Sequence, residues 1–136
     1  VVKVIDVFPD NFQYSEANSS PTGRSGVASY PMNGYQMLVR GEIMRGKFRN
    51  SFTTPEPFKP NKIETVEFAL PDVAHTFKKG HRLMIQVQSS WFPLADRNPQ
   101  QFMNIYEAKP EDFKKATIKI YHDGSNSSSV SLPIMR

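Results

Sequence analysis

Cysteine is absent from the 136 residues. Disulfide staples and thiolate metal sites are therefore excluded. The redox compartment stays open, since cysteine-free proteins occur on both sides of a membrane. Long apolar runs are lacking too: none approaches the ~20 residues that cross a bilayer. The opening residues do not read as a signal peptide. No window holds a 3.6-residue apolar period for the ~11 residues of an ordinary helix, so helices beyond one or two turns have no support. Excess charge is small. Lysine and arginine number 17 against 13 aspartates and glutamates, a net charge of +4. That suits ordinary solubility, whereas nucleic-acid binding needs charge gathered on one face. No Gly-x-Ser-x-Gly occurs, so the strained elbow that holds a hydrolase serine is missing.

What the chain has in quantity is proline, glycine and phenylalanine, 11, 7 and 10 residues respectively. Their mixture points to one loop-rich β domain, residues 1–136, with an aromatic core. Val1–Phe8 alternates apolar residues on both faces and reads as a central strand, within which Asp6 needs a partner if buried. Pro9-Asp10-Asn11 is turn chemistry, and residues 11–34 form a long polar loop, mobile around Ser19–Gly26. Tyr35–Met44 reads as a strand, Arg45–Asn50 as a basic segment, and Ser51–Asn61, with three prolines, as an extended connector. Lys62–Leu70 is a further expected strand, with Val66, Phe68 and Leu70 facing inward, and Val73–Phe77 a single helical turn capped by Asp72.

The best-patterned strand is His81–Ser89, where Leu83, Ile85 and Val87 alternate with Arg82, Gln86 and Gln88. It enters through Gly80 and leaves into a loop, Ser90–Gln101, carrying Trp91 and Phe92 and stiffened by Pro93 and Pro99. Phe102–Phe113 is irregular. Lys115–Tyr121 and Ser128–Ile134 are expected to pair as a hairpin about Asp123-Gly124. Short strands, proline-rich connections and turn clusters together favour a jelly-roll β-sandwich.

Catalytic and metal chemistry find little support. Asp72 with His75, and Asp123 with His122, allow local acid–histidine contacts, but no activated nucleophile accompanies them, and structural hydrogen bonds are the better reading. His75 and His81 lie six apart across a glycine, which is no metal-ligand spacing, so neither metal nor cofactor is expected. Arg40, Arg45, Lys47 and Arg49 interleave with Phe48 and Phe52 like a nucleic-acid platform. Glu42, Glu56, Glu64 and Glu67 interrupt them, so a salt-bridged interdomain surface built on Arg40, Arg45 and Arg49 is preferred. Trp91 and Phe92 beside Pro93, followed in the same loop by Asp96, Arg97 and Asn98, suit a carbohydrate-stacking or acyl-pocket wall, a simple packed loop, or a contact with another domain.

Three segments together carry a resemblance: VVKVIDVFPD, then GYQMLVRGEIMRGKFRNSF with PEPFKP behind it, then LPDVAHTFKKGHRLMIQVQSSWFPLADRNPQ. They resemble the C-terminal domain of the X-Pro dipeptidyl-peptidase and cocaine-esterase-like serine hydrolases, nearest the α-amino-acid ester hydrolase and glutaryl-cephalosporanic acid acylase branch. The resemblance implies a galactose-binding-like jelly roll that carries no triad residue. It also implies packing on the α/β-hydrolase and cap domains of a parent chain, a share in the active-site rim, and a homo-oligomer interface, with no nucleic-acid or membrane partner. Family members have strands before the VVKVIDVFPD segment, so the expected sandwich lacks its first strands and Val1–Phe8 presents an unpaired edge. The competing reading is a free-standing carbohydrate-binding jelly roll using exposed aromatics.

Overall fold

A computed structural model describes residues 1–15 and 29–134. The stretch expected to be mobile, Ser19–Gly26, lies outside the described residues. The described residues form strands, 3-10 turns and loops without an α-helix, so the chain is all-β. Among the described residues there are five strands: β1 (Val2–Val7), β2 (Gln13–Ser15), β3 (Ser29–Pro31), β4 (Gln36–Glu42) and β5 (Arg82–Val87). They make an antiparallel sheet in the order β4-β1-β5 and a separate β2-β3 ribbon.

β1 sits at the centre because its sequence is apolar on both faces, and a strand with no polar face is stable only between neighbours. It pairs with β4 from Val2 opposite Glu42 to Val7 opposite Gln36, and with β5 from Val2 opposite Val87 to Val7 opposite Arg82. The expected unpaired edge is thereby corrected: β1 is hydrogen-bonded along both sides. A register shift between Val4 and Ile5 leaves Val39 as the extra residue of β4 and changes the local twist. Val4, Ile5 and Val7 are buried, each worth about 1.5–3 kcal/mol in apolar transfer, and Asp6 is buried with them.

The turn into β5 depends on Gly80. The His81 amide donates to the Lys78 carbonyl at 3.0 Å, and Gly80, at the third turn position, has φ +87°. That is the type II pattern, which only glycine adopts without strain. Its effect is to aim the His81 ring back across the end of β1.

Three sequence expectations fail. Lys62–Leu70 is irregular, without ladder bonds, and Val66 is exposed. Val73–Phe77 forms no helical turn. A lone turn is costly to nucleate, and a tertiary contact of His75, described below, takes this segment instead. The 115–134 hairpin reduces to one bond, from the Ser128 amide to the Tyr121 carbonyl at 2.8 Å, over a 3-10 turn at Gly124–Asn126. In Lys62–Leu70 and in residues 115–134 the pattern for a strand is present, but no neighbouring strand offers the matching backbone groups.

One apolar face of the sheet is only partly covered: Val4 is buried, yet its neighbours on β5 are not. In register, Val2 and Val4 of β1 share it with Leu83, Ile85 and Val87 of β5, and Leu83 and Val87 are nearly half exposed. The whole chain exposes 11284 Å² at 15.5 kDa, where a compact monomer of that mass exposes roughly 7,200 Å².

Candidate functional site

Two constellations emerge. The first is centred on Asp6, whose residue is 1% exposed. Its Oδ2 accepts from His75 Nε2 at 2.9 Å and its Oδ1 from His81 Nδ1 at 2.8 Å. An ionised carboxylate only accepts, so each imidazole presents an N–H to it and the tautomers are set by that contact. Aromatic rings close the cluster: Phe8 lies 4.7 Å from the His81 ring, Phe12 meets it edge-on at 5.7 Å, and Phe77 stands against His75 at 4.8 Å. The expected Asp72–His75 contact gives way to this one. A partner within the same turn leaves Asp6 buried and unpaired, which costs far more than an exposed Asp72 left in water.

An aspartate between two histidines has the parts of an acid–base relay but lacks a group to activate. Among the described residues, no serine, threonine or lysine side chain hydrogen-bonds to either ring, and no group of three His, Cys, Asp or Glu residues is arranged to hold a metal ion. The cluster is a clamp. It ties residues 70–81 to the middle of the sheet.

The second constellation is the loop after β5. Trp91 is half-buried: its ring covers Gly41 of β4, and Lys3 Nζ sits 4.2 Å from the ring centroid. A Cβ at position 41 would lie 2.9 Å from the indole carbons, so the close approach requires glycine there. Past Trp91 the loop turns back through the Ala95 amide bonding to the Trp91 carbonyl at 2.9 Å, which pushes Phe92 and Leu94 outward, 64% and 68% exposed. Asn98 then fixes the exit. Its Nδ2 donates to the Ser89 carbonyl at 3.0 Å and its Oδ1 accepts from the Gln100 amide at 2.9 Å. Arg97 stacks on Phe113 at 4.3 Å.

The loop meets the basic segment through Asp96, which accepts from Arg45 Nη2 at 2.5 Å. Arg45 also donates to the Tyr106 hydroxyl at 3.4 Å, and that bond, with the Asp96 charge behind it, holds its guanidinium above the ordinary arginine range. The three arginines therefore have three different situations. Arg45 braces the loop. Arg49 is spent inside the chain, donating to the carbonyls of Gly46, Glu56 and Pro57 at 3.1, 3.0 and 3.3 Å, with Glu64 at 3.7 Å and Phe58 beneath it at 4.3 Å. Arg40 is half-buried, and its Nε is enclosed without a hydrogen bond.

Trp91, Phe92, Asp96, Arg97 and Asn98 lie on one loop because they are close in sequence. Sequence reasoning did not find the partners Tyr106 and Phe113, which carry no signal beyond being aromatic. For Asp6 a signal existed: a lone carboxylate in an apolar strand must be paired.

Residues 1–131 match the family model for the X-Pro dipeptidyl-peptidase C-terminal non-catalytic domain. The chain is also 26% identical over 134 residues to the cocaine esterase of Rhodococcus sp. (strain MB1 Bresler), an alignment covering 98% of this chain and 19% of that protein. The chain thus spans about a fifth of that curated relative. It belongs to the family of C-terminal non-catalytic domains of X-Pro dipeptidyl-peptidase type.

Proposed function

We propose that this member of the X-Pro dipeptidyl-peptidase C-terminal family is the accessory domain of a serine hydrolase acting on peptides, esters or β-lactam acyl groups. In this reading the triad lies in an α/β-hydrolase domain of the same polypeptide, and the present chain packs on it as part of a jelly-roll sandwich. The Trp91–Asn98 loop supplies the rim of the substrate pocket. Arg40 and Arg45 face the neighbouring domains, and the domain also takes part in a homo-oligomer contact. The observation that carries the reading is the family match over residues 1–131 combined with a braced loop that holds Phe92 and Leu94 out of its own core.

Trp91, the best platform for the carbohydrate-module reading, is half-buried against the cross-strand pair Lys3 and Gly41.

A fluorophosphonate probe that labels activated serines tests the assignment on the full-length gene product. The expected label falls on a serine outside these 136 residues, and the isolated chain shows neither labelling nor ester turnover. Turnover by the isolated chain, labelled at one of its own serines, overturns the reading. Within the full-length enzyme, Phe92→Ala and Leu94→Ala together raise KM several-fold with little change in kcat if the loop forms the rim. Unchanged kinetics removes the loop from that role.

A further inference from the structure

The loop after β5 carries charge as well as apolar side chains, and one of those charges is cancelled in place. Asp96 follows Leu94 by two residues, so their Cα atoms are at most ~7.6 Å apart, within the ~8 Å reach of a charge at physiological ionic strength. A free carboxylate there would attract a cationic group laid along Phe92 and Leu94. It is not free. Arg45 Nη2 donates to Asp96 Oδ2 at 2.5 Å, and the two side chains remain 43% and 49% exposed, so the pair sits at the surface from which the loop is approached.

The guanidinium comes from outside the loop, on a segment with its own moorings. Tyr106 steadies Arg45 through its hydroxyl at 3.4 Å and its ring at 5.7 Å. Two residues on, Lys47 Nζ donates to the Met103 carbonyl at 2.8 Å. Arg97, the other charge of the loop, is stacked on Phe113 at 4.3 Å. What the loop offers beyond the paired Asp96 is therefore the exposed surface of Phe92 and Leu94.

We propose that Arg45 is a specificity-determining residue of this edge: by cancelling the Asp96 charge it makes the edge take an uncharged, apolar acyl or side-chain group over a cationic one of the same shape. The inference rests on the reading of Trp91–Asn98 as the rim of a substrate pocket. Phe92 and Leu94 supply the apolar contact, and Arg45 acts through Asp96.

Two matched p-nitrophenyl esters test it on the full-length protein: the neutral hexanoate, and the 6-aminohexanoate with an ammonium at its end. The quantity read is the kcat/KM of the cationic ester divided by that of the neutral one, in low-salt buffer. Wild type is expected to favour the hexanoate. Arg45→Met bares the Asp96 carboxylate and should raise the ratio about two- to threefold, the size of a unit charge acting through water over ~8 Å. Asp96→Asn leaves the Arg45 charge unpaired and should lower the ratio by a similar factor. Both shifts should fade in high salt. Opposite signs separate a charge effect from a loosened loop, because both variants break the same ion pair and a merely structural pair would move the ratio one way in both. Shifts of the same sign, no shift, or a wild type that prefers the cationic ester overturn the proposal. The two readings fail separately. Unchanged kinetics of the Phe92→Ala, Leu94→Ala double variant removes the rim, whereas a raised KM there without opposite shifts at positions 45 and 96 removes only the role of Arg45.

Discussion

Around Asp6 the chain is enclosed, whereas between Ile118 and Ile134 it is open. Val4, Ile5 and Val7 are buried between two hydrogen-bonded neighbours, and Asp6 is held from two sides by histidines. Ile118, Ile120, Val130 and Leu132 belong to equally strand-like sequence yet remain exposed, and Ile134 is 86% exposed. Both regions have the β-branched, alternating composition that favours strands. They differ in what lies alongside. The first finds β4 and β5 within the described chain, while the second finds one backbone bond across a turn. β-structure is a property of neighbours: propensity prepares a segment for a ladder and cannot supply the other half.

The largest expected effect comes from breaking the enclosed region at its centre. Asp6→Ala removes two hydrogen bonds from a carboxylate and strands His75 and His81, each bond to a charged group being worth roughly 1.5–3 kcal/mol. Urea unfolding is expected to shift by several kcal/mol. A loss under 1 kcal/mol would show that the clamp is not what holds residues 70–81 to the sheet.

Next in size is Gly41→Ala, which sets a methyl group against the Trp91 ring. Overpacking of this kind costs typically about 1–3 kcal/mol, and it displaces the only tryptophan in the chain. The fluorescence maximum should move to the red as the indole is pushed outward; an unshifted spectrum would mean that the loop has room to spare.

A smaller change is expected from Asp96→Asn. The Arg45–Asp96 pair is about half exposed, so its loss should cost below about 1 kcal/mol, and the wild-type contribution should fade in high salt. The sensitive readout is loop order, followed as Trp91 anisotropy. Smallest of all is Ile120→Thr in the 136-residue chain, expected within about 0.5 kcal/mol of wild type because the side chain buries little. A loss as large as that of a core residue would erase the contrast between the two regions.

Much of the sheet was legible without coordinates. Val1–Phe8, Tyr35–Met44 and His81–Ser89 overlie β1, β4 and β5 with ends moved by one or two residues, because local patterning and the turn chemistry at Pro9 and Gly80 set where strands begin and stop. The same patterning at Lys62–Leu70 and at the 115–134 hairpin produced no strand. The site divides similarly. The contiguous loop Trp91–Asn98 could be read directly, whereas the bracing of Asp96 by Arg45 spans 51 residues and lay beyond any local rule.

From the amino-acid order alone it followed that Val1–Phe8 is a central strand and that its lone aspartate, once buried, needs a partner. Burial makes an unpaired carboxylate too costly to leave. Which groups answer that need was decided only by the path of the chain. His75 and His81 stand 69 and 75 residues away, and the fold brings both to within 2.9 Å of one carboxylate. Hydrogen bonds act over about 3 Å, so sequence can state the requirement while only the tertiary structure can name the donor.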